Sequence, residues 1–197
     1  MLRQATLPLL FVLSPALQPD PGEALVRRLR KAVCRREPIV LGTAAQPYEP
    51  AAGPWQESAL RQILLRAEGL EIALTTGTPR ILRELGLLVE LDRRHSVAVR
   101  MIVPAAGGAP EPRLRAVRGL TAEGIATSLL LRLPAAPRGT TGEESLRFLL
   151  EEALAAGALD VEMDARSLRR GERVPLLAAF ERLRLEYGFP RRASGRG

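Results

Sequence analysis

The chain has 197 residues, a natural size for one domain with a sizeable core. Its single cysteine excludes an internal disulfide framework and fits a cytoplasmic home, and its single histidine excludes histidine-based metal sites and histidine-pair catalysis. The net charge of +7 invites a polyanionic partner, but nearly all of it is arginine, with Lys31 the lone lysine. So uniform a skew, beside abundant Ala, Leu, Gly and Pro, is what a GC-rich coding sequence gives, and it argues little for nucleic acid by itself.

Short apolar runs alternate with amphipathic stretches. Leu9–Leu13 opens the series; Arg3 before it and Ser14-Pro15-Ala16 after it resemble a weak secretory signal, but Pro8 and Pro15 break the pattern and a short strand is expected instead. Further strands are expected at Ile39–Leu41, Leu70–Thr75, Val97–Val103, Ala126–Leu133 and Ala158–Met163. No run approaches the roughly 20 apolar residues of a membrane span.

Between the strands, Ala59, Leu60, Ile63, Leu64 and Ala67 share one face of a helix over 54–67. Thr78 is an N-cap with Pro79 at the first helical position, opening a helix with Ile81, Leu82, Leu85, Leu88 and Val89 inward. Leu114, Val117 and Leu120 mark a helix ended by Gly124, and Leu146, Leu149, Leu150 and Ala153 one ended by Gly157. A last helix is expected from Pro175 to Tyr187, with Leu176, Phe180, Leu183 and Tyr187 on one face. The alternation predicts an α/β protein with a parallel sheet, either doubly wound or an open barrel, as a single domain over 1–190 with a basic flexible tail over 191–197. In both architectures ligands gather at the C-terminal ends of the strands.

Charges inside expected strands are the other signal. Arg100 lies mid-strand, Arg132 near a strand end, and Asp160, Glu162 and Asp164 alternate with Val161 and Met163 and so share one face. Buried charges need partners. Arg100 and Arg132 are therefore expected on the concave side of the sheet, meeting Glu162 or Asp160, in a solvent-filled lumen or an ion-pair network, or as a residual anion site. His95 follows Arg93-Arg94 at a helix C-terminus, where positive charge suits the helix dipole and catalysis is not expected. Cys34, near a basic helix end, reads as a half-buried filler.

The loop after Ile39–Leu41 carries a resemblance. "PIVLGTAAQPYEP" resembles the "P-I-x-L-G-T-x-T-D-P-Y-Q-P" stretch of radical SAM proteins of the spore photoproduct lyase-like family. "LTTGTPRILRELGLLVEL" is similar to that family's "TTKSPLVLRDLDLLAEL", "RLRAVRGLTAEGIAT" to its "RLEAIRALAEAGIPV", and "LRLEYGFPRRASGR" to its C-terminal helix and tail. The resemblance spans roughly residues 37 to 195 and implies an incomplete (β/α)6 barrel with parallel strands and outer helices. It further implies S-adenosylmethionine and a [4Fe–4S] cluster as cofactors, and DNA as partner. Gly42, Thr43 and Ala44 would offer backbone groups to the methionyl end of S-adenosylmethionine, and Thr75 and Thr76 would sit at the end of the next strand; Arg100 and Arg132 join them as cofactor-binding candidates.

The chain departs from the family in three places. The C-x3-C-x2-C loop, which should precede residue 7, is absent, and one thiolate cannot replace the three that hold such a cluster. The lysine of "TTK" is Gly77, and the aspartate of the loop is Gln46. The expectation is a degenerate or truncated protein of this family, without catalytic activity or a metal site in this form. The alternative is a non-catalytic module binding S-adenosylmethionine, a nucleotide or a nucleic acid.

Overall fold

In the computed structural model, residues 31, 34–35, 39–41, 60–61, 68–105, 110–133, 143–165, 168 and 170–190 are described. Five strands, β1 (Ile39–Leu41), β2 (Glu71–Thr76), β3 (Ser96–Pro104), β4 (Ala126–Arg132) and β5 (Asp160–Asp164), form one parallel sheet in the order β1-β2-β3-β4-β5. Among the described residues, the helices whose bounds are defined are α1 (Leu85–Arg94), α2 (Glu111–Ala122), α3 (Glu143–Ala155) and α4 (Arg170–Glu186), which alternate with β2 to β5. The chain is therefore α/β, as its apolar periodicity predicts. Two compact units divide it, with the boundary inside β3 between Arg100 and Met101 and with Glu123–Ile125 assigned to the first.

In the first unit β1 and β2 pair in parallel, Ile39 opposite Ile72 and Leu41 opposite Leu74. Ile72, Leu74 and Thr76 are buried while Ala73 and Thr75 are half-exposed, so β2 is covered fully on one face only. Thr78 caps the next element as expected, its hydroxyl accepting from the Arg80 amide at 3.3 Å. The first six residues after it, Pro79–Glu84, form a 3-10 helix, and α1 starts only at Leu85. Ile81 and Leu88 are buried as the spacing requires, together with Leu91; Leu82, Leu85 and Val89 are half-buried.

The turn from α1 into β3 differs from the sequence expectation. His95 is buried, its Nδ1 accepts from the Leu70 amide at 3.4 Å, and its Nε2 is buried with no hydrogen-bond partner among the described residues. An accepting Nδ1 places the proton on Nε2, so the ring is neutral. Burial first, and then neighbouring Arg94, push its pKa below the usual histidine range, with Glu68 opposing. A positively charged His95 serving the helix dipole is thus corrected: the residue is a neutral fastener of the segment before β2.

In the second unit β4 and β5 pair in parallel, Ser128 opposite Asp160 and Arg132 opposite Asp164. Thr127, Leu129, Leu131 and Val161 are buried; Ser128, Leu130, Arg132, Glu162 and Asp164 are half-exposed. Helix α2 packs on β4, α4 on β5, and α3 against α4. Ion pairs tie α3 to α4: Glu143 to Arg182 at 2.7 Å and Arg147 to Glu186 at 3.2 Å. Both pairs span 39 residues, so the two helices run parallel, as consecutive crossovers from parallel strands must. The Arg147 guanidinium beside Glu143 holds that carboxyl below the ordinary carboxylate range. At the end of α3, Gly157 has φ +79 and an added Cβ would lie 3.1 Å from Thr121 Oγ1, whose hydroxyl donates to the Ala156 carbonyl at 2.7 Å.

Helix α4 begins at Arg170, five residues before the expected start, and Pro175 lies inside it. Proline at the first helical position is a preference, and here it sits exposed in the second turn, where its missing N–H costs one intrahelical bond. The core face of α4 holds Phe180 and Leu183, and with them Arg184, which is completely buried. Its guanidinium pairs with Asp160 at the start of β5, with Glu181 at 3.2 Å, and donates to the Pro190 carbonyl at 2.8 Å. Asp160 also accepts from the Val161 amide at 2.8 Å. One buried cation thus binds α4 to β5 and to the segment that follows the helix.

Two outcomes follow from these contacts. Arg184→Ala takes from a partly buried carboxylate the guanidinium that meets it and empties a fully buried position on the core face of α4; Asp160 keeps a quarter of its side-chain exposure, so the expected loss is about 2–4 kcal/mol, read from urea unfolding. Arg184→Met, which fills the space without the charge, is expected to lose as much of the Asp160 pairing but less packing, and so to fall between the two. For His95 the folded pKa is depressed, so the neutral ring's contribution is full above about 6.5 and is lost as pH falls below that value. The urea midpoint should therefore drop between about pH 7.5 and about pH 5, and His95→Gln should flatten that part of the profile.

Candidate functional site

The sequence places candidate ligand-binding residues at the C-terminal ends of strands, and the structure sorts them. Gly42, Thr43 and Ala44 lie outside the described residues, as do the apolar run Leu9–Leu13, the helix expected over 54–67 apart from buried Leu60 and exposed Arg61, and the 191–197 tail. Thr75 and Thr76 occupy the last two positions of β2. They are not equivalent. Thr76 is fully buried, and its hydroxyl accepts from the Thr78 amide at 3.2 Å, closing the turn into the 3-10 helix. Thr75 points to the half-exposed face with Ala73. Of the pair, Thr75 is the side chain available to a ligand.

Arg100 corrects the expectation of a buried in-strand charge. It is exposed, on the β3 face opposite Val97, Val99 and Met101, and so pays little desolvation. In the second unit Arg132 ends β4 and lies opposite Asp164 at the end of β5, Nε to Oδ2 at 4.0 Å. Their side-chain exposures are 34% and 13%. At 4.0 Å and with Arg132 a third exposed, the pair contributes about 1 kcal/mol, less than a close and fully buried pair.

The sequence expectation was a pairing with Glu162 or Asp160; the structure shows an ion pair at each end of β5. Arg132 meets the acid at its own register position, Asp164, because residues paired across parallel strands share a face and a height. Asp160, at the N-terminal end of β5, is held by Arg184 from α4. Sequence reasoning passed over Arg184, although its spacing from Phe180 and Leu183 puts it on the same helical face.

The strand ends of the second unit are also linked through the backbone. The Ala105 amide donates to the Arg132 carbonyl at 2.9 Å, and the Leu133 amide to the Asp164 carbonyl at 3.3 Å. The Arg132–Asp164 pair thus stands on three strand termini whose main-chain bonds are already made, which fixes its position without using its side-chain groups.

Cys34 is exposed, which corrects the half-buried filler reading. Among the described residues no group of three or more His, Cys, Asp and Glu side chains could hold a metal ion. Among them, too, no helix is long and apolar enough to cross a membrane.

No protein-family model matches the sequence. The chain is similar to an uncharacterized protein of Mycobacterium bovis and to uncharacterized proteins of two strains of Mycobacterium tuberculosis. Each is 30% identical over 160 residues, which covers 76% of this chain and 47% of the relative. The chain spans about half the length of the curated relatives it matches.

Proposed function

We propose that the chain is a spore photoproduct lyase-like radical SAM protein, degenerate or partial, that binds S-adenosylmethionine but is catalytically inactive in this form. The observation that carries the reading is the β1–β2 pair. The two strands that lead into the "GTAAQPYEP" and "TTGTP" motifs run parallel with Leu41 opposite Leu74, so they end side by side. Strand ends of this kind are where α/β proteins bind ligands.

A cluster does not fit the donors of this chain. Three thiolates are needed to hold a [4Fe–4S] centre with an open iron, and Cys34 is the sole cysteine. S-adenosylmethionine fits better, since its amino acid end asks for hydrogen-bonding groups rather than thiolates. Thr75 offers a half-exposed hydroxyl that can donate to a carboxylate or accept from an ammonium. The cofactor brings a sulfonium that activates its substituents toward transfer or cleavage; the chain's part is to hold it. With Gly77 where the family has lysine, carboxylate recognition rests on neutral donors, and affinity is correspondingly modest.

Titration calorimetry with S-adenosylmethionine tests the reading. The purified chain should bind one equivalent, and Thr75→Val should weaken binding about tenfold, the effect of one hydrogen bond to a charged group, with an unchanged melting temperature. Anaerobic reconstitution followed by iron analysis should give no stoichiometric cluster. Failure to bind S-adenosylmethionine at millimolar concentration, with binding of ADP or an oligonucleotide instead, would replace this reading by the nucleotide or nucleic-acid module. A stoichiometric cluster on the monomer would overturn the inactive assignment.

A further inference from the structure

A cavity of about 370 Å³ opens in the second unit, beside the C-terminal end of β3. Pro104 ends that strand and Pro110 precedes α2; across the cavity stand Glu144, Ser145, Phe148 and Leu149 from the first turns of α3. The volume lies in the range of small-molecule sites, and the place is the strand end where such sites collect.

The walls select the ligand. Neither proline has an N–H, and the Pro110 carbonyl is taken by the Arg113 and Leu114 amides, both at 3.0 Å. The backbone on that side therefore offers apolar ring surface. On the other side Phe148 keeps 53% of its surface exposed. In a chain with only four phenylalanines, one left open at the rim of a cavity is a stacking surface rather than core. The polar groups among the described lining are a carboxylate, Glu144, and a hydroxyl, Ser145. The neighbouring Glu143 is engaged by Arg147 and Arg182, which leaves Glu144 as the charge that faces the cavity among the described residues.

We infer that this cavity binds a planar aromatic cation, an aromatic ring carrying an ammonium or amidinium group. The ring lies against Phe148 and the prolines, and the cation reaches Glu144. An anionic ligand meets a carboxylate there and is disfavoured. The chain as a whole carries +7, so its average field favours anions, and preference for a cation is a local signature of Glu144. The site uses none of the side chains of the S-adenosylmethionine reading and stands independently of it.

Amide NMR titration with three indole probes tests the inference: cationic tryptamine, neutral indole and anionic indole-3-acetate. Tryptamine should shift the amides of residues 145–149 with a Kd below about 1 mM, and indole should bind about tenfold more weakly, with indole-3-acetate weaker again. Glu144→Gln should bring tryptamine down to the affinity of indole, and Phe148→Ala should weaken both. Both side chains are exposed, so the variants should keep the parent melting temperature. Thr75→Val should leave all three affinities unchanged, which separates this site from the cofactor proposal. Indole-3-acetate binding as tightly as tryptamine, shifts confined to other residues, or tryptamine binding indifferent to both substitutions would each overturn the assignment.

Discussion

The constraint on which both units depend is that β2 in one and β4 in the other are fully buried on one face only. A strand between two helical layers can be apolar at every position, whereas a strand covered on one side must alternate. β2 and β4 alternate throughout, burying Ile72, Leu74, Thr76 and Thr127, Leu129, Leu131 and leaving Ala73, Thr75, Ser128 and Arg132 half-exposed. The apolar face supplies the driving force, through side chains such as Leu129 and Leu131 that each contribute on the order of 2 kcal/mol when removed from water. The other face is released from packing and can carry threonine, arginine and aspartate. The chemistry available to this protein follows from that release.

The distribution of buried charge obeys the same logic. Arg100 and Arg132 sit on the open face, where water still reaches them, and their positions cost little. Arg184 is the expensive one, since a guanidinium with no exposure must have its donors satisfied. It meets Asp160, Glu181 and the Pro190 carbonyl, three acceptors drawn from a strand, its own helix and the segment after it. A leucine at that position could pack against β5 but could not choose between neighbouring registers. A guanidinium aimed at a carboxylate of β5 and at the Pro190 carbonyl favours one position of α4 on β5, a role that buried ion pairs play in some proteins and not in others.

Much of this was legible in the sequence where periodicity is strong. The buried faces of α2 and α3, with Leu114, Val117 and Leu120 and with Leu146, Leu149, Leu150 and Ala153, match the spacing, and Gly124 and Gly157 take the positive φ that ends each helix. The Thr78 cap was equally plain. What periodicity did not carry was partner choice. His95 looked like a charged helix end because its ring's burial depends on Leu70, 25 residues earlier in the chain. Asp164 was not singled out beside Arg132 because register is set by pairing, which the sequence of one strand does not encode. The first turn of α4, before Pro175, was missed because the apolar spacing that marks the helix begins only at Leu176. The 3-10 opening of the segment after Thr78 had no sequence signal at all.

The half-exposed faces and the cavity at Pro104 draw on one further property of parallel α/β architecture. Every strand delivers its last residues, and every following helix its first turn, to the same side of the sheet. In the second unit that side gathers Arg132, Asp164, Glu144 and Phe148, side chains with little apolar packing to lose. Stability is held elsewhere: in the buried aliphatic rows, and at the opposite end of β5, where Asp160 meets Arg184. The separation has an energetic consequence. Substitutions at strand ends can alter recognition with small effects on folding, while the buried pair at the start of β5 can be lost only at the expense of the fold. A chain of this design can change the side chains at its strand ends and still keep the scaffold on which a binding site stands.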